Sequence, residues 1–487
     1  MTTPRLRFDG RVLLLGCGSV SQCLQPLLLR HLDMDFTKLT VMDFEDLAPS
    51  IPDTLAAGAT YARTRITPEN IHAELAARLG DGDLLINLAW NIDTVEIIQW
   101  CQDNGVRYVD TSVELWDPYE DQLTTTPQDR TLYARHMKLR ERAKTWRPDG
   151  PTAVVEHGAN PGLVSHWTKV ALEDITAAIL RQSDVDSARR EAFEAALSNR
   201  DYAMLGKLTG TKVIHISERD TQISDKPKQV GEFVNTWSVE GFYEEGIAPA
   251  EMGWGTHEPV LPEHAYTHES GPRNQICLAQ TGVTTYVRSW VPLGGPIIGM
   301  VVRHGEAFTI SDHLTVWEDG QAVYRPTVHY AYLPTDAAMN SLHECRMNGY
   351  ELQTNQRIMN DEIVDGMDEL GVLLLGHDLN GWWVGSQLDI HESRSLVPHQ
   401  NATTLQVAAS VLGAVFWIVN NPNRGLCVPD DLDHDAVLEV ANPYLGKVPS
   451  VQTDWTPTGQ SAYEPFANYR PEAANSEEPW AFGNFLV

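Results

Sequence analysis

The sequence predicts an α/β fold, with a doubly wound parallel sheet in the first domain and a largely β sheet in a second α/β domain. Short apolar strands alternate with helix-like segments through about residue 155, and β-rich runs follow from Thr209 onward. Strand and helix in alternation indicate parallel βαβ units, because each crossover helix covers one face of the sheet. A chain of 487 residues also exceeds what one hydrophobic core usually organises. We therefore expect a Rossmann-type domain followed by a substrate-binding and dimerisation domain.

The first strand ends in a glycine-rich turn. The apolar run Val12 to Leu15 is followed by Gly16, which permits a tight turn, and by Gly18, which lets the backbone approach a pyrophosphate. A second apolar run ends at Asp43, whose carboxylate would accept both hydroxyls of an adenosine ribose. No Arg follows Asp43 directly, so NAD is favoured over NADP, and an ordinary strand-to-helix turn is the alternative. The cofactor contacts predicted here are Gly16, Gly18, Ser19, Val20, Ser21 and Asp43.

Strands and helices follow this turn in a regular order. Periodicity predicts a helix over Gln22 to His31, strands at Leu39 to Met42 and Tyr61 to Arg65, a helix over Pro68 to Leu79, a strand at Leu84 to Ala89, a helix over Thr94 to Asn104 and a strand at Arg107 to Asp110. Gly105 is placed to cap the helix before it. Ligands of such sheets bind outside the carboxyl ends of the strands. We therefore expect these residues at one crevice: Asn87, Ala89, Asn91, Asp93, Thr111 and Glu114.

A group of breakers marks the boundary between the two domains. Pro148, Gly150 and Pro151 interrupt helix and strand. The helix Ala402 to Asn420, with Asn401 as its N-cap, is expected to return and support the first domain. The β-rich runs lie between these points, at Lys212 to Ser217, Thr284 to Val291 and Ile298 to Val302. The predicted divisions are residues 1–155 for the NAD-binding domain, 156–400 for the substrate-binding domain and 421–487 for a C-terminal extension that wraps the surface.

The charge of the chain argues against two classes of partner. Its formal net charge is −30, so nucleic acid and anionic membranes would be repelled, whereas a cationic ligand would be attracted. Solubility alone also accounts for such a charge. The position of the acidic residues must decide between these interpretations.

Other signals indicate a cytoplasmic protein without a metal site. The N-terminal segment shows no export signal, and the most apolar stretch, Val407 to Val419, is too short to span a bilayer. The six cysteines show neither a Cys-x-x-Cys pair nor zinc-type spacing, so reduced thiols in a cytoplasm suffice. These cysteines are Cys17, Cys23, Cys101, Cys277, Cys345 and Cys427.

Aromatic and acidic side chains interleave between Phe233 and Trp254. An ammonium group held against an aromatic face gains about 0.5 to 2 kcal/mol, and a nearby carboxylate adds a directional bond. Such a segment could recognise amines. The alternative is that the aromatic and acidic residues are the buried and solvated faces of one strand or helix.

Two further features carry polar groups that suit a site. His304 and Glu306 lie two residues apart after the apolar run Ile298 to Val302, so an extended segment would place them on one face. Asn160 precedes Pro161 and is held extended, which suits presentation of its amide to a ligand. For His304 the alternative is a surface histidine with a chance carboxylate neighbour. For Asn160 the alternative is a simple turn.

Several segments of the chain resemble bacterial homospermidine synthases, within the wider saccharopine-dehydrogenase-like fold. They are the glycine turn, Leu88 to Asp93, Asp110 to Trp116, Glu156 to Gly162, Asn235 to Trp237, Tyr243 to Gly246 and Arg303 to Glu306. The resemblance implies a cytoplasmic homodimer that builds homospermidine from two putrescine molecules and releases ammonia. With spermidine as donor, 1,3-diaminopropane would leave instead. NAD would accept a hydride to form an imine and would return it after amine exchange.

The resemblance also implies roles for individual residues. Trp237 would supply a cation–π wall, Glu114 and Glu245 would hold ammonium groups, and Asp93 would attract the substrate at the entrance. His304 and Glu306 would orient amines or move protons, Asn160 would contact the nicotinamide or the substrate, and Thr111 would line the cofactor crevice. Closely spaced acids and an imidazole titrate as a coupled set, so the sequence assigns no single base.

Two other functions remain open at this point. A saccharopine-type or opine reductase would need basic residues for the carboxylates of its substrate, whereas the predicted pocket supplies acids and Trp237. A non-catalytic NAD-binding sensor would keep Gly16, Gly18 and Asp43 and need no amine site.

Overall fold

The computed structural model describes residues 5–120, 124–183, 185–458 and 477–487, and all structural statements concern these residues. The helices are α1 (Ser19–His31), α2 (Pro52–Ala56), α3 (Ile71–Ala76), α4 (Thr94–Asn104), α5 (Leu132–Ala143), α6 (Leu163–Leu180), α7 (Ser187–Asn199), α8 (Tyr202–Thr209), α9 (Val239–Ile247), α10 (Glu306–His313), α11 (Asp336–Met347), α12 (Ile390–Leu396), α13 (Ala402–Asn420) and α14 (His434–Ala441).

The strands of the first half of the chain are β1 (Leu6–Arg7), β2 (Val12–Leu15), β3 (Leu32–Asp33), β4 (Leu39–Asp43), β5 (Thr60–Arg63), β6 (Leu84–Asn87), β7 (Arg107–Asp110), β8 (Ala153–Val154), β9 (Val213–Asp220), β10 (Ile223–Ser224), β11 (Glu232–Asn235) and β12 (Pro249–Gly253). Those of the second half are β13 (Ala265–Thr267), β14 (Gln275–Thr281), β15 (Tyr286–Val291), β16 (Gly295–Met300), β17 (Val316–Glu318), β18 (Gln321–Tyr324), β19 (Thr327–Leu333), β20 (Asn355–Ile358), β21 (Ile363–Asp365), β22 (Met367–His377), β23 (Asn380–Asp389), β24 (Leu426–Cys427) and β25 (Ser450–Thr453).

The first sheet is doubly wound. Among the described residues it has seven strands in the order β24-β8-β7-β6-β2-β4-β5, and every neighbouring pair is parallel. The chain runs outward from β2 through β4 to β5 and then crosses back to β6. This reversal opens a crevice at the carboxyl ends of β2 and β6, where ligands of such sheets bind. The predicted Rossmann-type sheet is confirmed.

Most predicted elements of this domain lie where periodicity placed them. Helix α4 and strand β7 have the predicted bounds, and Gly105 caps α4 with a φ of 71°. The predicted helix Pro68 to Leu79 is shorter, since α3 begins only at Ile71. The side chain of Asn70 accepts the backbone N–H of Thr67 at 2.8 Å and holds the preceding residues in a turn.

The second sheet is mixed and holds most of the second domain together. Among the described residues it has ten strands, with the main order β13-β14-β12-β19-β9-β22-β23-β25 and the hairpin β15–β16 attached at β19. Strands β9 and β19 are parallel, whereas β9 and β22 are antiparallel. The predicted second α/β domain with a largely β sheet is confirmed.

Helix α13 is the central helix of the protein. Its N-cap is Asn401, whose side chain accepts the backbone N–H of Thr404 as predicted. It contacts α1, β7 and β8 on the side of the first sheet and β22 and β23 on the side of the second. The apolar run Val407 to Val419 is too short to predict a membrane span. The complete helix α13, however, is long and apolar enough to cross a membrane. Since 89% of its most apolar 18-residue stretch is buried inside the protein, α13 is a core helix.

The C-terminal residues take part in both sheets. Strand β24 pairs with β8 in the first sheet, and β25 pairs with β23 in the second. Phe482 and Phe485 are fully buried against the second sheet. The expected surface extension therefore contributes backbone pairing and core side chains, because its apolar residues find strands to pack on. Residues 459–476 of that extension lie outside the described part of the chain.

Candidate active site

The glycine turn between β2 and α1 leaves room for a ligand. Gly16 has a φ of +92°, and a Cβ there would lie 2.7 Å from the carbonyl oxygen of Leu88, so the turn needs glycine. A Cβ at Gly18 would meet no atom within 4 Å. Helix α1 starts at Ser19 without a side-chain cap, so the amides of its first turn stay available to an anion. Ser21 is buried and accepts a hydrogen bond from Gln25.

Asp43 lies beside this turn at the end of β4. One carboxylate oxygen accepts the backbone N–H of Cys17 at 2.7 Å, and the other accepts that of Glu45 at 3.0 Å. Each oxygen has a second lone pair for a hydroxyl group. The carboxylate is thus held in a fixed orientation beside the glycine turn.

The amide of Asn87 is engaged within the first sheet. Its nitrogen donates to the hydroxyl of Tyr108 at 3.0 Å, and its oxygen accepts the N–H of Ala89 at 3.2 Å. The Tyr108 hydroxyl in turn donates to Asp110 at 2.7 Å. This chain of bonds supports the strand ends that border the crevice, where Thr111 follows β7.

The turn from Glu156 to Gly162 connects the two domains. The Asn160–Pro161 bond is cis, and Gly162 has a φ of +131°. The side-chain nitrogen of Asn160 donates to Glu218 on β9 at 3.2 Å. Asn160 therefore faces an acidic group of the second domain.

Three buried carboxyl groups form an acidic cluster that the sequence did not reveal. Glu218 and Asp220 lie two apart on β9, and Asp368 pairs in register with Asp220 from β22, so all three share one face of the sheet. Burial raises the pKa of Glu218 to about 8 and that of Asp220 to about 6. Burial and the other two acids hold the pKa of Asp368 well above its ordinary value. No Lys or Arg pairs with this acidic cluster within the described residues.

Stacked tyrosines connect the acidic cluster to Trp237. The rings of Tyr330 and Tyr332 on β19 stack with centroids 5.0 Å apart, and the Tyr330 hydroxyl donates to Glu218. The Trp237 indole N–H donates to the Tyr332 hydroxyl at 3.2 Å. Trp237 also packs on Phe242, with centroids 5.6 Å apart. The half-buried indole is thus held close to the acidic cluster.

His304 lies between two carboxylates. Its Nε2 is 3.1 Å from Glu245 and its Nδ1 is 3.2 Å from Glu306, so each ring nitrogen faces a carboxyl oxygen, an arrangement that favours the imidazolium form. Burial disfavours this charge, but Glu306 and Glu245 outweigh it and hold the pKa of His304 well above its ordinary value. The ring also packs on Tyr330, with centroids 4.4 Å apart.

The expected extended segment around His304 is wrong. Glu306 is the first residue of α10, and a turn at Gly305 separates it from His304. The two side chains still meet, because the bend of the chain at the start of α10 brings Glu306 back toward the imidazole of His304.

Glu114 and Asp93 occupy different positions. Burial, followed by the charge of Glu244, raises the pKa of Glu114 to about 7. Arg135 bonds both Val113, which precedes Glu114, and Glu244, which precedes Glu245, so the two segments lie close together. Asp93 is the N-cap of α4, where it accepts the N–H of Glu96 at 2.9 Å, and it lines an outer groove of about 1850 Å³. Contacts link Asn160, Trp237, Glu245, His304 and Glu306 into one site.

Comparison with known proteins identifies the family. Residues 12–154 match the model of the saccharopine dehydrogenase NADP binding domain, and residues 158–453 match that of the saccharopine dehydrogenase C-terminal domain. The chain is 42% identical to the homospermidine synthase of Blastochloris viridis, over 99% of this chain and 98% of that protein. The chain belongs to the homospermidine synthase family.

Two further homospermidine synthases agree with this assignment. The protein of Mesorhizobium japonicum is 39% identical over 98% of this chain and 96% of its own length. The crystal structure of the Legionella pneumophila homospermidine synthase in complex with NAD has a TM-score of 0.87 and 35% identity, covering 99% of both chains. The present residues fit that cofactor, because Gly18 is open, α1 is uncapped and Asp43 is oriented beside them.

Proposed function

We propose that this member of the homospermidine synthase family makes homospermidine and ammonia from two putrescine molecules. Spermidine is the alternative donor, with 1,3-diaminopropane as the leaving amine. The observation that carries the proposal is Trp237 beside an acidic cluster that has no Lys or Arg partner within the described residues. Once ionised, a buried acidic cluster of this kind favours a cation, and an aliphatic diamine is a dication at neutral pH.

We assign cofactor binding to the crevice of the first sheet. The amides of Gly18, Ser19, Val20 and Ser21 would bind the pyrophosphate and Asp43 the ribose, while Ala89, Thr111 and Asn160 would border the nicotinamide. Asn87 would act by supporting Ala89, which it already bonds. When bound, NAD would accept a hydride from the amine-bearing carbon and return it after amine exchange.

We assign amine binding to the residues around His304 and Trp237. Glu218 with the acidic cluster would bind one ammonium group, and Glu245, Glu306 and Glu114 would bind or deprotonate the reacting amine. An alkylammonium group must lose a proton before it can yield a hydride, because its nitrogen lone pair is otherwise occupied. Trp237 would stabilise the positive charge of the iminium form through its π face. Asp93 would attract diamines to the entrance.

The charges around the proposed amine site disfavour an opine-type reductase. Such an enzyme needs a free cation for each substrate carboxylate. Arg135 and Arg303, which lie near Glu114, both donate to Glu244, and Glu251 and Glu245 also act on Arg303, so neither guanidinium is a free cation. Homospermidine formation accounts for the acidic groups, whereas carboxylate binding does not.

The test is conversion of deuterated putrescine by the purified protein with NAD. Putrescine labelled at both amine-bearing carbons, incubated in the presence of unlabelled NADH, should give homospermidine that retains all of its deuterium. This result is expected because the hydride returns to the carbon from which it came. Mass spectrometry and an ammonia assay measure the two products. Steady accumulation of NADH without homospermidine would mean a simple dehydrogenase, and NAD binding without any product would mean a sensor.

Replacement of Asp43 by asparagine should weaken NAD binding by about tenfold, because hydrogen bonds to a charged acceptor contribute roughly 1.5 to 3 kcal/mol. The turnover number at saturating NAD should change little, since Asp43 is far from the reacting carbon in this proposal. Fluorescence titration with NAD measures the affinity. Asp46→Asn, at an exposed acid of the same loop, is the matched control and should bind NAD normally.

We also propose a cytoplasmic homodimer. All six cysteines are unpaired and buried, which suits a reducing compartment. Sedimentation velocity of the purified protein measures the assembly, and a monomer at micromolar concentration would contradict this part of the proposal.

A further inference from the structure

A buried ion network joins three separate segments of the chain. The Arg135 guanidinium, on α5, donates through Nη1 to the carbonyl oxygen of Val113 at 2.9 Å and through Nη2 to Glu244 at 2.6 Å. Arg303 donates to the same oxygen of Glu244 at 2.5 Å. Side-chain exposure is only 6% for Arg135, 12% for Glu244 and 4% for Arg303. The network thus lies inside the protein and crosses from the first domain to the second.

Each segment held by this network carries a proposed substrate-binding residue at the next position. Glu114 follows Val113, Glu245 follows Glu244 and His304 follows Arg303. A bond to one residue restrains the backbone of the next, because the peptide unit between them is planar and rigid. One network therefore restrains the relative positions of three site residues that are distant in sequence.

Two guanidinium groups share the one carboxylate of Glu244, so the network carries a net positive charge. Burial would raise the pKa of Glu244, but Arg303 and Arg135 outweigh burial and hold it at about 2. Both guanidinium groups also act on Glu114, and Glu251 is a further acid beside Arg303. Only a planar guanidinium can hold a carbonyl and a carboxylate in a fixed fork, whereas a lysine ammonium group has no such geometry.

We propose that Arg135, Glu244 and Arg303 are positioning residues that set the spacing between Glu114, Glu245 and His304, so that both domains present their groups to one diamine. This inference rests on the proposed function. The network contacts neither the substrate nor NAD in this assignment. Its effect is on the geometry of the groups that do.

Helix α5 offers a matched control. Arg140 also forms an ion pair with an acid of the second domain, Asp312 on α10, at 2.8 Å. This pair is more exposed, at 36% and 22% of the two side chains. Arg140 contacts α10 at Asp312 and at the ring of Phe308, and among the described residues it makes no bond to Val113, Glu244 or Arg303. Arg135→Lys and Arg140→Lys therefore remove the same guanidinium from the same helix, but only Arg135→Lys disturbs the proposed network.

The experiment compares Arg135→Lys with Arg140→Lys in the full-length, NAD-loaded protein. We expect kcat/KM for putrescine to fall by on the order of tenfold in Arg135→Lys, since a displacement of about 1 Å at a reacting group can cost up to 100-fold. The decrease should lie mainly in kcat, while NAD affinity and Tm stay close to those of Arg140→Lys. Arg140→Lys should retain the wild-type kcat/KM within about twofold.

Equal kcat/KM values for the two variants would overturn the inference, as would an activity loss in Arg135→Lys that merely parallels a loss of Tm and NAD affinity. If Arg135→Lys does not fold, Glu244→Gln is compared in the same way with Asp312→Asn, and only Glu244→Gln should lose activity. An inactive wild-type protein would instead contradict the proposed function. The two failures are therefore distinguishable.

Discussion

Replacement of Trp237 by alanine should lower kcat for homospermidine formation by about 30-fold or more, because a desolvated cation–π contact contributes about 2 kcal/mol or more. The indole lies beside the acidic cluster, where the iminium charge would develop, and the substitution leaves that charge without a π face. NAD affinity should remain within about twofold, since Trp237 belongs to the second domain. Steady-state turnover and NAD titration measure the two quantities.

The companion variant Trp237→Phe separates the ring from the indole N–H. Phenylalanine keeps a π face but cannot donate to Tyr332, so it should retain clearly more activity than alanine. Tyr332→Phe removes the same hydrogen bond from the other side and should resemble Trp237→Phe. Equal loss in Trp237→Phe and Trp237→Ala, or a parallel loss of NAD affinity, would contradict the cation–π role.

Replacement of Glu218 by glutamine should lower kcat/KM for putrescine by about 30-fold or more above pH 8, because removing one partner of a buried charge pair costs at least about 2 kcal/mol. Glutamine keeps the shape of the side chain and an oxygen to accept from Asn160, so the loss would report the charge. Glu369→Gln is the control, since Glu369 is a buried acid on the opposite face of the same sheet.

The raised pKa of Glu218 predicts the direction in which kcat/KM changes with pH. A carboxyl group binds an ammonium group only when ionised, and burial raises the pKa of Glu218 to about 8 and that of Glu114 to about 7. The kcat/KM of the wild type should therefore fall as the pH decreases through this range. Below about pH 7 Glu218 is already protonated, so the ratio of wild-type to Glu218→Gln activity should shrink. A ratio that stays constant from pH 6 to pH 9 would exclude ionised Glu218 as the binding group.

Local signals predicted the first domain well. Gly16, Gly18 and Asp43 belong to one strand–turn–helix–strand unit, in which chain geometry alone places them together. The bounds of α4, β7 and α13 followed from periodicity and capping residues, which act over a few positions. The interleaved aromatic and acidic segment also proved informative, because Trp237 and Glu245 lie on either side of the start of one helix.

The acidic cluster was not predictable from local signals. Glu218 and Asp220 lie at the charged end of β9, beyond the predicted run Lys212 to Ser217, and nothing nearby marks Asp368 as their partner. The antiparallel register of β9 with β22 brings these residues together, and the parallel register with β19 adds Tyr330 and Tyr332. Register depends on the packing of the whole sheet, and a shift by one residue would turn these side chains to the other face.

The sequence by itself determined the doubly wound NAD-binding domain, the residue types of the amine site and the resemblance to the homospermidine synthase family. Tertiary structure alone decided which acids meet and which are neutralised. His304 is charged because Glu245 and Glu306 come from different elements to flank it, and Glu244 is paired because Arg135 and Arg303 converge on it. Electrostatic interactions depend on distance and burial. Residues far apart in the chain become close to one another and buried only when the two domains fold onto α13.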